Sequence, residues 1–178
     1  LSILVLVLAG GASANAARCL QVKRVLSEND YTAFPPSITP DRSGGIYIAD
    51  PNDHVVQHCN ERGVLVAEWG GYGRGDGRFI HPCSVAVGPD GTVFVADMYN
   101  HRIQKFEENG KYLGQWGKFG QDEGKFSHPC SIAVDAAGLV YVADTHNYRI
   151  QKFQGDGTFL TEWGSRGNGK GQFLTPVS

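Results

Sequence analysis

The sequence predicts an all-β fold, a β-propeller built of four-stranded antiparallel blades, and three observations carry that prediction. The chain repeats at one period: Trp69, Trp116 and Trp163 lie 47 residues apart, as do Phe79, Phe126 and Phe173, Pro82, Pro129 and Pro176, and Asp50, Asp97 and Asp144. Each unit holds four short runs of β-branched and aromatic residues with turn residues between them. The units are joined by one recurring pattern, Trp-Gly-x-x-Gly-x-x-x-Gly-x-Phe-x-x-Pro, at 69–82, 116–129 and 163–176. A single unit of this size buries too little apolar surface to stand alone, so units must stack, as propeller blades do.

Residues 1–17, LSILVLVLAGGASANAA, stand apart from the repeats. The apolar run at 1–9 is too short to span a bilayer, and Ala12-Ser13-Ala14 and Ala14-Asn15-Ala16 fit the small-x-small pattern of signal-peptide cleavage. The expectation is an exported protein, secreted or periplasmic, with no membrane span in its mature chain. Residues 18–34 form a segment leading into the propeller. Residues 35–178 are its blades, at about 35–81, 82–128 and 129–175, with 176–178 opening a further unit. Residues 35–178 hold about three units of this period, so about three blades are expected, a partial propeller belonging to a longer protein. Self-association of half-rings is the other way to close one.

The second unit shows the strand order most plainly. Residues 84–87 are a short apolar run, Gly88-Pro89-Asp90-Gly91 a turn, and 92–97 a β-branched and aromatic strand. Residues 98–101 turn again into a strand at 102–106, and 107–110 turn into an alternating strand at 111–116. The Gly-rich joint at 70–77 is no phosphate loop, because it recurs in each unit and leads into a strand rather than a helix. It reads as a crossover in which Gly supplies positive φ and Phe79, Phe126 and Phe173 plug the seam between blades. Arg74-Gly75-Asp76 within it reads as a polar loop rather than an adhesion motif. Asp97, Asn100 and Arg102, repeated as Asp144, Asn147 and Arg149, read as structural: carboxylate and amide satisfy backbone donors, and the guanidinium pairs with a carboxylate. The first unit carries Asp50, Asp53 and Val55 there, so it lacks the Arg.

These units resemble the NHL repeat. The likeness rests on Phe79 to Val87, Val93 to Phe106 and Trp116-Gly117, and again on Phe126 to Asp135, Val140 to Ile150 and Trp163-Gly164; the Asn-His-Leu run behind the name stands here as Asn100-His101-Arg102-Ile103. The resemblance covers about residues 35–178 and implies six-bladed propellers as the parent architecture. One enzyme of that structural family, the peptidylhydroxyglycine amidating lyase, implies zinc held by His residues that follow Pro at successive inner-strand entries. The matching positions here are Pro36, Cys83, Cys130 and Val177, none of them His, while Tyr99 resembles the placement of that enzyme's catalytic Tyr.

The candidate site is the rim where each crossover enters the innermost strand. His81, Cys83, His128 and Cys130 lie there in His-Pro-Cys-Ser runs, and the neighbouring turns add Tyr99, His101, His146 and Tyr148. Polar groups converging over a propeller's centre are the default binding site of such a scaffold. No catalytic set is expected, since Ser84 and Ser131 follow Cys in a repeated strand without a strained nucleophile elbow. For Cys83 and Cys130 three readings stay open: zinc ligands completed by His81 or His128, small buried residues, or a mutual disulfide. The pairing of Cys19, Cys59, Cys83 and Cys130 is equally open. A net charge of −2 argues against a nucleic-acid partner, although Lys118, Lys125, Arg166 and Lys170 dot the crossovers. The function expected is a binding scaffold for a protein, peptide or glycan, with no cofactor. The alternative is a metal-assisted lyase or lactonase-like hydrolase.

Overall fold

The computed structural model describes residues 37–177. The expected leader at 1–17, the segment 18–34, residues 35–36, Cys19 and Ser178 lie outside the described residues. Three four-stranded antiparallel sheets follow one another. Blade 1 is β1 (Ser37–Pro40), β2 (Ile46–Asp50), β3 (Val55–Cys59) and β4 (Leu65–Gly70). Blade 2 is β5 (Pro82–Val87), β6 (Val93–Asp97), β7 (Arg102–Phe106) and β8 (Tyr112–Trp116). Blade 3 is β9 (Pro129–Val134), β10 (Val140–Asp144), β11 (Arg149–Phe153) and β12 (Phe159–Trp163). Each sheet is a meander in chain order, and β1, β5 and β9 pack side by side as the innermost strands.

Alternation along each strand builds both seams of blade 2, because successive side chains point to opposite faces of a sheet. Val85, Val93 and Val95 join Tyr47, Ala49 and Val56 of blade 1, while Ala86, Phe94 and Ala96 join Ile132, Val140 and Val142 of blade 3. Phe79 and Phe126 close the two seams, fully buried against Phe106 and Phe153 at ring distances of 5.7 and 5.6 Å. Trp69 and Trp116 then lie across the following blade's outer turns. A Cβ on Gly110 would stand 2.7 Å from the Trp69 ring, so only Gly lets the indole pack flat there. Trp163, with no described blade beyond it, is 44% exposed.

The crossovers have the expected geometry. Gly70, Gly71, Gly73 and Gly77 all carry positive φ, and a parallel bridge between Tyr72 and Phe79 closes the loop. At Gly70 (φ 120°) an added Cβ would meet the Phe79 ring at 2.8 Å, so Gly is required by space as well as by backbone. What holds the loop is a buried polar clamp from the blade that follows it. Arg102 donates from Nε to Asp97 (2.8 Å) and from its terminal nitrogens to the carbonyls of Arg74, Gly75 and Arg78. Gln104 donates to Arg78 O and accepts from Gly77 N–H, Asn100 donates to Gly73 O, and Asp97 accepts from Ile80 N–H. Asp144, Asn147, Arg149 and Gln151 repeat the arrangement on the next crossover. The structural reading of these residues from sequence is thus what the fold displays. Asp76 of the Arg-Gly-Asp run lies near Tyr112, whose pKa is raised by burial and by the Asp76 charge.

Candidate functional site

Crossovers and the turns between second and third strands share one face of the arc. Those turns are 3-10 turns at Met98–Asn100 and Thr145–Asn147, each ended by a residue in the left-handed region. His54, His81, His101, His128 and Tyr148 are the non-glycine residues with positive φ among the described residues, and all lie on this face. Non-glycine residues adopt that conformation at a cost of order 1–3 kcal/mol each, and such strain clusters where side chains are aimed for a purpose. The entry positions aim their imidazoles across the seam. His81 N–H donates to His54 Nδ1 (3.1 Å) and His128 N–H to His101 Nδ1 (3.2 Å), so the remaining proton of each neutral acceptor ring is on Nε2.

The result is one continuous array of rings. Tyr72 stands 5.2 Å from His54, His54 5.3 Å from His81, His81 4.9 Å from Tyr99, and Tyr99 5.4 Å from His128. His128 in turn lies 4.6 Å from His101 and 4.3 Å from His146, and His101 5.0 Å from Phe119. The outer members are open: Tyr72 is 72%, Phe119 69% and Tyr99 40% exposed. Burial, reinforced by neighbouring cationic or imidazole groups, lowers the pKa of His81, His101 and His128 below the ordinary 6.5. These three imidazoles are therefore neutral at neutral pH.

Of the rim residues expected from sequence, His81, Tyr99, His101, His128 and His146 come together in this array. Tyr148 stands apart from it, beneath the Arg166 guanidinium at 5.3 Å. Cys83 and Cys130 form a second cluster deeper in the seam. Each occupies a β-bulge, since Pro82 pairs with Asp97 and Ser84 with Ala96, and Pro129 with Asp144 and Ser131 with Ala143, leaving the cysteine between them unpaired in the ladder. This also explains why β5 and β9 begin at the prolines, two residues ahead of the apolar run. Cys59 is disulfide-bonded, whereas Cys83 and Cys130 are free thiols that interact with each other, which removes the mutual disulfide reading. The Cys130 thiol pushes the Cys83 pKa well above the ordinary value, and burial adds to the rise. The same interaction lowers the Cys130 thiol to about 7, with help from Thr145. Among the described residues no three His, Cys, Asp or Glu side chains are grouped to hold a metal. The zinc set with His81 or His128 is therefore not assembled.

Sequence reasoning missed His54, Tyr72 and Phe119, although the period contains them. His54 is one period before His101, and Tyr72, Phe119 and Arg166 are one series, each packed on its own member of the series His54, His101 and Tyr148. On the opposite face a cleft of about 450 Å³ opens between blades 2 and 3, lined in part by Pro89, Phe94, Lys105, Leu113 and Asp156.

A ring-bearing face on stacked four-stranded blades defines the class, a β-propeller of repeat type. The NHL repeat model matches residues 79–106 and 126–153, the crossover end and first three strands of blades 2 and 3, so these two blades are NHL repeats. No curated protein sequence matches it. Similar solved structures include the hydrazine synthase of Kuenenia stuttgartiensis (14% identity, TM-score 0.58, covering 79% of this chain and 39% of that one). A virginiamycin B lyase from Staphylococcus aureus (17%, 0.57, 80% and 43%) and a gluconolactonase from Xanthomonas campestris (18%, 0.54, 80% and 48%) are also similar. At these identities the likeness shows the fold, and the chain spans less than half the length of each.

Proposed function

We propose that this chain is a binding scaffold that presents the crossover face to a protein, peptide or glycan ligand. The observation that carries the reading is the unbroken ring array from Tyr72 to Phe119 across two blade seams. Rings give large contact area at low conformational cost, and their faces stack on planar or apolar ligand surfaces. The clamp beneath holds the loops that bear them, so the surface is organised before a ligand arrives. Extracytoplasmic location belongs to the same proposal, and the disulfide at Cys59 suits an oxidising compartment.

The test is a screen of peptide and glycan arrays with the protein and with a Tyr72→Ala, Tyr99→Ala, Phe119→Ala variant. A ligand retained by the protein and lost by the variant, at unchanged melting temperature, is the expected outcome. Ligands lost instead on Leu113→Ala, on the opposite face, overturn it. A second reading is a lyase or lactonase-like hydrolase in which the neighbouring imidazoles of His101, His128 and His146 supply acid–base groups rather than a metal site. Turnover of a lactone or lyase substrate, abolished by His128→Ala at unchanged melting temperature, would replace the scaffold reading.

A further inference from the structure

The blade 2–blade 3 seam holds three sulfur side chains that the ring array does not use. The thiols of Cys83 and Cys130 interact, and Cys130 Sγ lies 3.4 Å from Met98 Sδ. Cys83 Sγ also lies 3.2 Å from Pro129 O, the residue before Cys130. Three features separate this cluster from ordinary core packing. Both cysteines are unpaired bulge residues, a device that re-aims a side chain off the regular alternation. Both are half-buried, while Met98 is buried. The set is also asymmetric within a repetitive molecule. The position of Met98, the sole Met of the chain, is Pro51 in the first unit and Thr145 in the third, and the cysteine series ends in Val177. Two cysteines and a thioether therefore meet at one seam, whereas the residues of the repeating clamp recur at the next.

The chemistry of the donors selects the ion. Thiolate and thioether are soft ligands, and their combination favours soft d10 cations that accept few ligands. Zinc structural sites want four donors from thiolate, imidazole or carboxylate. We propose that Cys83, Cys130 and Met98 form a three-sulfur site for a soft monovalent cation, of which copper(I) is the biological representative. The site stands independently of the scaffold reading, because none of its three side chains belongs to the ring array.

The experiment is an anaerobic titration of the reduced protein with copper(I) buffered by bicinchoninate, repeated with silver(I) and zinc(II), with circular dichroism to follow the fold. One equivalent of copper(I) and of silver(I) is expected, with sulfur-only scattering in the copper X-ray absorption spectrum. Met98→Leu, a volume-conserving swap, keeps the fold and weakens copper(I) binding by about tenfold or more. Cys83→Ser and Cys130→Ser abolish it. Copper(I) affinity unchanged in Met98→Leu, binding that survives Cys83→Ser, or zinc(II) outcompeting copper(I) at equal concentration each overturns the three-sulfur assignment.

Discussion

Blades 1 and 2 share a strand plan but treat the same repeat position differently. In blade 2 the Asp97 carboxylate is fully buried and accepts from Ile80 N–H, Asn100, Arg102 and Gln104. Burial raises its pKa, and the bonds from Ile80, Asn100 and Arg102 work against that rise. In blade 1 the counterpart of Arg102 is Val55, and Asp50 accepts from its own turn, from the N–H groups of Asn52 and Asp53. Gln57, the counterpart of Gln104, donates to Glu68 on the neighbouring strand instead. The difference teaches what the repeated residues are for. Strands pair without the Arg, and the two described carboxylates that are buried and tied to a crossover, Asp97 and Asp144, each have one.

The largest expected effect breaks the clamp. Arg102→Ala leaves Asp97 buried without its cation and should cost about 3–5 kcal/mol in urea unfolding, against about 1 kcal/mol for Val55→Ala in blade 1. Equal losses would remove the distinction between the blades. Arg149→Ala should likewise lower the melting temperature while leaving ligand affinity unchanged. Next comes the seam: Phe79→Ala should cost about 3 kcal/mol, well above Phe173→Ala, whose ring is only half-buried beside the last described blade.

A smaller effect concerns pH. Burial keeps His101 and His128 below 6.5 in the folded protein, so the unfolded chain takes up protons first as pH falls. Their neutral-state contribution is intact above about pH 6.5 and is lost as pH drops through that value toward the folded pKa. His101→Gln should flatten the fall in melting temperature between pH 7.5 and 5, and a profile as steep as the parent's would sink the assignment. The smallest effect is at the exposed Lys111–Glu107 pair, 2.7 Å apart, where Lys111→Ala should change stability by under about 0.5 kcal/mol.

Much of the fold was legible because its causes are local. Period 47, turn glycines and alternating apolar residues specify four strands and a crossover without reference to distant contacts. The rim was half legible. His81, His101 and His128 stand out as repeated polar residues, but His54 was passed over because its unit diverges around it. Tyr72 and Phe119 were passed over because they vary within a loop whose glycines drew attention. The thiol pair was visible as two cysteines in phase, yet neither its bonding nor Met98's part in it was.

The sequence by itself determined the blade, the joint and the clamp residues, since each follows from periodicity and from what buried Asp, Arg and Gly require. Only the tertiary structure decided which repeated residues meet. Ring stacking across seams, the bulges that turn Cys83 and Cys130 toward each other, and the approach of Met98 depend on the angle at which one blade lies on the next. That angle is set by the packing of Phe79, Phe126, Trp69 and Trp116 together, which no single unit encodes.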